Sequence, residues 1–127
     1  MEYFKLENVK VKKVPKENGL LSFRDSEFDL ILATDVLEHN RNYESIVLEL
    51  KRILKSGGVI VISLPREHLL YRMFARKEVE RDEERGHVYH NSKGADKMEN
   101  FVAGNFKMLR FVNVYSFIHV MIMVKPL

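Results

Sequence analysis

The chain has 127 residues, of which 46% are hydrophobic and 31% charged, and its formal net charge is +3. This length suits one domain with a single core, and this composition excludes a disordered chain. Cysteine is absent, which excludes disulfides and thiolate metal sites, and no apolar run reaches the ~18–20 residues of a membrane span. Without an apolar signal segment at the N-terminus, we expect one cytoplasmic domain over residues 1–127.

The first predicted element is a strand at residues 9–14, where apolar and basic residues alternate. Pro15 ends this strand, and Glu17, Asn18 and Gly19 supply the turn after it. The lysines between residues 5 and 16 are the nearest candidate for a nucleic-acid-binding patch. Because charges of both signs are interspersed along the rest of the chain, we interpret these lysines as solvated surface. A nucleic-acid partner is not expected.

A strand–helix–strand unit is predicted between residues 28 and 65. Residues 29–34 and 59–64 are almost continuously apolar, which is typical of strands covered on both faces in a parallel sheet. The helix between them has Asn42 as a suitable N-cap and Gly57 or Gly58 as its stop. Two such strands joined by a helix are predicted to be parallel neighbours. The apolar stripe of this helix consists of Tyr43, Ile46, Val47, Leu50, Ile53 and Leu54.

The C-terminal part is predicted to contain two helices and a hairpin. The first helix covers residues 66–77 and is interpreted as an exposed arm or lid, and residues 86–91 form a loop. Ser92 is expected to cap a second helix that ends at Gly104. Two strands follow at residues 107–115 and 117–125, close enough for a tight antiparallel hairpin.

Several motifs of the chain resemble class I S-adenosylmethionine-dependent methyltransferases of the type 11-like group. These are FDLILATDVLEH at residues 28–39, LKSGG at residues 54–58, VIVISLP at residues 59–65 and LLSFRDSEFDLI at residues 20–31. The resemblance implies an α/β fold with a truncated Rossmann-like sheet. It has parallel central strands, a C-terminal antiparallel hairpin and flanking helices. It also implies S-adenosylmethionine as the cofactor.

The family's glycine-rich cofactor loop has no counterpart among these 127 residues, because no two of the six glycines form a G-x-G. We therefore expect the chain to correspond to the C-terminal half of the family fold. The strand at residues 29–34 would then lie at an apolar sheet edge, which invites pairing with another chain. Residues 9–14 are expected to cover this edge, and self-association or a second subunit is expected as well.

The resemblance also implies site residues. Glu17 stands where the family has an acid near the adenine amino group, and Asn18 where a backbone N–H meets the adenine ring. A solvated turn is the alternative interpretation of this pair. Thr34 and Asp35 end the central strand, at the crevice where α/β sheets bind ligands. They would face the methionine portion of the cofactor and the substrate.

Two histidines and a tyrosine are further candidates for chemical roles. His39 and Asp35 are the candidate catalytic residues, and His39 would act as the base, since a neutral imidazole accepts a proton near pH ~6.5. The alternative is a structural histidine bonded to backbone. His87 and Tyr89 are candidates for the substrate pocket. The spacing of His87 and His90 does not predict a metal site, because both lie in a loop without a companion His-Glu motif.

Two functions from different classes follow from these features. The first is S-adenosylmethionine-dependent methyl transfer to an unknown acceptor, either by a split enzyme that a partner chain completes or by a shortened enzyme with a makeshift cofactor site. The second is a non-catalytic, methyltransferase-like scaffold or regulatory subunit that has lost the cofactor. An unrelated α/β binding module would require the motif matches to be coincidental. The sequence leaves enzyme and scaffold level with each other.

Overall fold

The computed structural model describes residues 21–65, 92–114 and 118–127. Several predictions lie outside these residues: the strand at 9–14, the helix at 66–77, the loop at 86–91, and the candidate site residues Glu17, Asn18, His87 and Tyr89.

In the described part of the chain, four strands form one mixed sheet in the order β1–β2–β4–β3. The first two strands are parallel, and the other two neighbouring pairs are antiparallel. The predicted parallel pair and the predicted C-terminal hairpin strands are therefore confirmed, as is the Rossmann-like α/β class. The strands are β1 Phe28–Thr34, β2 Leu54–Pro65, β3 Lys107–Val114 and β4 Ile118–Val124.

Among the described residues, two α-helices, α1 at Tyr43–Ile53 and α2 at Ser92–Asn105, pack against each other and against β2. A short 3₁₀ helix, Leu37–His39, follows β1. The apolar stripe predicted for α1 lies in the core, where Val47, Leu50 and Ile53 are buried. No helix in the ranges described above is long and apolar enough to cross a membrane.

The predicted end of α1 at Gly57 or Gly58 is wrong. The helix ends at Ile53, and Leu54 has the extended backbone of β2, where it is buried opposite Phe28. Gly57 has a φ of +75°, which favours glycine, and a Cβ on Gly58 would lie 2.8 Å from the Lys55 carbonyl oxygen. Both glycines are therefore required by the entry into β2 and not by a helix stop. At the other helix, α2 continues one residue past the predicted stop to Asn105.

The two faces of the sheet have different surroundings. On the helix-covered face, buried side chains of the strands form one core with α1 and α2; they are Ala33, Ile60, Ile62, Leu64, Met121 and Met123. The opposite face, which no described helix covers, is here called the open face. The strand register places a second apolar set there, Leu30, Leu32, Val59, Val61, Val120 and Ile122.

The prediction that β1 is covered on both faces is wrong. Leu30 is 55% exposed and Leu32 is 67% exposed. The described helices lie on the other face of the sheet, so they leave these two leucines to solvent.

Candidate functional site

The candidate site lies where β1 and β2 end, at the edge of the sheet where open α/β folds bind ligands. Thr34, the last residue of β1, pairs with Ser63 near the end of β2. The 3₁₀ helix that follows β1 adds Glu38 and His39. We call the group of Thr34, Asp35, Glu38, His39 and Ser63 the crevice.

Asp35 has an unusual backbone conformation at the end of β1. Its φ is 53°, in the left-handed region that residues other than glycine rarely adopt, although aspartate tolerates it better than most. Its backbone N–H donates a hydrogen bond to the Ser63 Oγ at 3.3 Å. Ser63 is buried, whereas Thr34 and Asp35 are exposed. The hydrogen bond to Ser63 on β2 thus holds a strained backbone turn. This turn presents the Asp35 carboxylate to solvent.

Glu38 is an acid in an unfavourable environment. The residue is only 7% exposed, and its Oε2 is buried without a hydrogen-bond partner in the described part of the chain. Burial raises the pKa of Glu38, and the nearby Asp35 charge raises it further, against the opposing effects of its own backbone and of His39. A buried carboxyl oxygen without a partner costs stability. It is also an acceptor that no described residue uses.

His39 places an imidazole at the mouth of the crevice. Its side chain is 51% exposed, and its Nε2 lies 3.9 Å from the Glu38 Oε1. At this distance the two side chains are neighbours without a direct hydrogen bond. The arrangement can therefore accept a proton from a molecule bound at the mouth.

The structure brings together three of the residues singled out in the sequence, Thr34, Asp35 and His39. Sequence reasoning did not select Ser63 or Glu38 as site residues. Ser63 had a usable signal, because it is the single polar residue in the apolar run VIVISL. Glu38 had none, because its burial depends on a 3₁₀ helix that periodicity does not predict.

A second polar cluster lies at the opposite end of the strand–helix–strand unit. The Arg52 guanidinium donates to both carboxylate oxygens of Glu49 (2.8 and 2.9 Å), to Asp25 (2.6 Å) and to the carbonyls of Leu21 and Phe23. Glu49 also accepts the Leu21 backbone N–H at 2.9 Å. We call this group the Arg52 clamp. It fastens the segment before β1 to the last turns of α1.

The Arg52 clamp shifts the pKa of Glu49 in the direction opposite to the shift of Glu38. Hydrogen bonding to Arg52 lowers the pKa of Glu49, against a smaller effect of burial, and the same contacts raise the pKa of Arg52. Satisfied ionic contacts of this kind stabilise a fold. We therefore assign the clamp a structural role.

A buried histidine joins α2 to the sheet. His119 on β4 is buried, and its Nδ1 lies 2.5 Å from the Glu99 Oε1 on α2. The Phe111 ring packs edge-on against the His119 ring, with centroids 4.7 Å apart. These contacts place His119 in the packing between helix and sheet, so we do not include it in the crevice.

Comparisons with known proteins show which proteins the chain resembles. The family model of the methyltransferase domain matches residues 3–62. An uncharacterized protein of Methanocaldococcus jannaschii, MJ1123, is 41% identical over 69 residues, which are 54% of this chain and 34% of that protein.

Solved structures share the fold at low sequence identity. An S-adenosylmethionine-dependent methyltransferase of Methanosarcina mazei superposes with a TM-score of 0.61 and 19% identity, over 86% of this chain and 64% of the other. Phosphoethanolamine N-methyltransferase 2 of Haemonchus contortus, solved with S-adenosyl-L-methionine, gives 0.58 and 12% identity, over 84% of this chain and 35% of the other.

Residues 3–62 resemble a methyltransferase domain, and the described residues form an α/β fold with the crevice at the carboxyl ends of two parallel strands. The predicted resemblance to S-adenosylmethionine-dependent methyltransferases is confirmed. The chain spans about a third of MJ1123 and between about a third and two thirds of the two solved structures.

Proposed function

We propose that this chain takes part in S-adenosylmethionine-dependent methyl transfer, and that its crevice holds the methionine end of the cofactor beside the methyl acceptor. The observation that carries the proposal is the turn at Asp35, held by Ser63 where two parallel strands end. The methyltransferase-domain match over residues 3–62 includes this turn. The Haemonchus relative in complex with S-adenosyl-L-methionine supports the choice of cofactor.

The charges of the crevice fit this ligand. The methionine end of S-adenosylmethionine carries a positively charged ammonium group beside the sulfonium. The crevice offers the exposed Asp35 carboxylate and the buried Glu38 carboxyl, whose Oε2 has no partner among the described residues. A bound cation would satisfy this oxygen and favour the ionised form of Glu38.

The chemical roles follow from these positions. The cofactor supplies an electrophilic methyl group when bound. His39 receives the proton that the acceptor's nucleophilic atom loses, because its imidazole stands at the mouth of the crevice. The Glu38 carboxylate, 3.9 Å from the ring, stabilises the imidazolium that results. Thr34 and Asp35 position the methionine end.

The adenine end of the cofactor and the acceptor need further contacts. By resemblance we assign Glu17 and Asn18 to the adenine, and His87 and Tyr89 to the acceptor pocket. Because the 127 residues contain no G-x-G, the proposal includes a second polypeptide that borders the crevice and completes the cofactor site.

Calorimetric titration of the pure chain with S-adenosylhomocysteine tests the proposal. We expect a Kd on the order of 0.1–1 mM, weak because one chain holds only part of the ligand. Asp35→Asn should weaken binding by about tenfold, since it removes one charge-assisted contact.

Asp29→Asn is the matched control. Asp29 is an exposed aspartate near the start of the same strand, where it pairs with Lys55, and its substitution should leave the affinity within about twofold. No detectable binding at millimolar ligand, or equal losses in the two variants, would reject binding in the crevice and favour the non-catalytic scaffold.

A further inference from the structure

The two outer strands of the described sheet protect their edges to different degrees. At one edge, β3 carries the basic residues Lys107 and Arg110, and its pairing is interrupted by a register shift between Met108 and Arg110. Charges and bulges are the usual means of blocking an edge against another chain. This edge is therefore protected from adding a strand.

The β1 edge lacks such protection along its centre, because its charged Asp29 and the register shift of its pairing between Phe28 and Leu30 both lie at its amino end. Within residues 21–65, 92–114 and 118–127, β1 pairs only with β2, so one row of its backbone groups has no strand beside it. The central residues 30–33 are all apolar, and Leu30 and Leu32 are the exposed leucines of the open face. A flat apolar edge of this kind favours the addition of a strand.

The sequence of β1 is compatible with pairing to itself. An antiparallel pair centred on Ile31 places Leu30 opposite Leu32 of the second copy, and Asp29 opposite Ala33. No like charges face each other within residues 29–33, whereas just beyond the strand Glu27 would lie opposite Asp35 of the other copy. Both leucines of both copies then lie on the same face of the joined sheet, where they bury one another.

We propose that two copies of this chain associate through β1, antiparallel across a two-fold axis at Ile31, to form one eight-stranded sheet. We call this interface between the two β1 strands the seam. It is one strand long, so the dimer should dissociate at concentrations on the order of micromolar. A second copy is the partner because one symmetric contact with it satisfies both the open backbone edge and the exposed leucine pair.

The same register places parts of both copies near each crevice. Phe28 of one copy lies opposite Thr34 of the other, so the loop at residues 24–27 of one copy reaches the end of the seam where the other has Asp35. A hollow of about 360 Å³, lined by this loop and Lys55, lies at that position. A role for this loop and hollow beside the crevice rests on the proposed function, whereas the pairing of the two β1 strands does not.

Engineered disulfides test the register, because the chain has no cysteine of its own. Ile31→Cys places two thiols directly opposite each other across the axis, within reach of a disulfide. Under mild oxidation we expect most of this variant to become a covalent dimer. Leu48→Cys is the control, since Leu48 lies exposed (52%) on α1, away from β1, and this variant should form no covalent dimer.

Sedimentation of the reduced proteins tests the contact itself. The wild type should shift from monomer to dimer with rising concentration. Leu32→Lys should raise the dissociation constant at least tenfold, and Leu48→Lys should leave it within about twofold. Circular dichroism of each variant shows whether it is folded, and the Ile31→Cys result does not depend on Leu32→Lys folding.

Three outcomes would overturn the proposal. A wild-type monomer at all concentrations is the result expected if residues 9–14 cover β1 within the chain. Association that survives Leu32→Lys, or disulfide formation in Leu48→Cys as efficient as in Ile31→Cys, would place the contact elsewhere. Titration of monomeric Leu32→Lys with S-adenosylhomocysteine keeps the two proposals apart, since retained binding without a dimer would reject only the seam.

Discussion

The β1–α1–β2 unit has polar groups at both ends, and the two ends are built differently. At the amino end of β1, the Arg52 clamp uses every donor direction of one guanidinium on carboxylates and carbonyls. At the carboxyl end, Asp35 has a left-handed backbone and Glu38 has a buried oxygen without a partner in the described chain. The clamp gains stability from its charges, whereas the crevice loses some stability through its own.

The two buried glutamates express this difference in their pKa values. The pKa of Glu49 is lowered, mainly by hydrogen bonds from Arg52, and the pKa of Glu38 is raised, mainly by burial. Perturbed acids that destabilise a fold are found at functional sites more often than elsewhere, because a ligand can recover the lost stability. The contrast supports a structural role for the clamp and a binding role for the crevice.

The largest expected effect is on the clamp. Glu49→Gln keeps the size of the side chain but removes the charge that faces Arg52, so it should lower the free energy of unfolding by about 2 kcal/mol. Urea denaturation measures this loss. Asp29→Asn breaks the exposed pair with Lys55 and should cost less than about 1 kcal/mol. Equal losses would show that the clamp is no stronger than a surface ion pair.

The next largest expected effect is an increase in the free energy of unfolding, in the variant at Glu38. Glu38→Gln removes an acid whose ionisation the fold opposes, so it should raise the free energy of unfolding at pH 7 by about 1 kcal/mol. The same variant should bind S-adenosylhomocysteine more weakly, because the carboxyl is lost from the crevice. A less stable Glu38→Gln protein at pH 7 would contradict the assigned environment of Glu38.

The pH dependence of the same two variants sharpens the comparison. Because the folded pKa of Glu49 lies below its ordinary value of 4.5, its stabilisation is present above pH 4.5 and is lost as the pH falls through the folded pKa. The folded pKa of Glu38 lies above 4.5, so its cost is absent below pH 4.5 and grows as the pH rises through the folded pKa. Denaturation curves of each variant and the wild type, measured at pH values of about 3.5, 5 and 7, give the free energy of unfolding as a function of pH for both glutamates.

The smallest expected effect concerns two residues with the same backbone conformation. Ser26, near the clamp, and Asp35, in the crevice, have φ values of 54° and 53°. Glycine at either position relieves left-handed strain but adds freedom to the unfolded chain, so each variant should change stability by less than about 1 kcal/mol. Only Asp35→Gly should weaken S-adenosylhomocysteine binding. Weaker binding in Ser26→Gly as well would remove the distinction between the two ends.

Local pattern was sufficient for much of the fold. The apolar runs predicted β1 and β2, and the stripe from Tyr43 to Ile53 predicted α1, because each pattern depends on residues close in sequence. The start of β2 at Leu54 was not predicted, since its extended backbone is set by pairing with Phe28. The exposure of Leu30 and Leu32 was missed for a related reason: it depends on which face α1 and α2 cover.

The crevice was predicted only in part. Its location at Thr34 and Asp35 followed from the motif resemblance and from the general position of ligand sites in α/β sheets. The hydrogen bond from Asp35 to Ser63 joins residues 28 positions apart, and it depends on the register between β1 and β2. The pairing of residues across a sheet and the burial of Glu38 are properties of the folded chain, which no local pattern encodes.

Amide chemical-shift mapping during titration with S-adenosylhomocysteine is the most direct test that the crevice is the ligand site. We predict that the resonances of residues 34–39 and Ser63 move together with one dissociation constant, whereas those of residues 21–27 and Arg52 stay in place. Shifts concentrated at the clamp, or shifts spread evenly over both ends, would contradict the assignment of binding to the crevice.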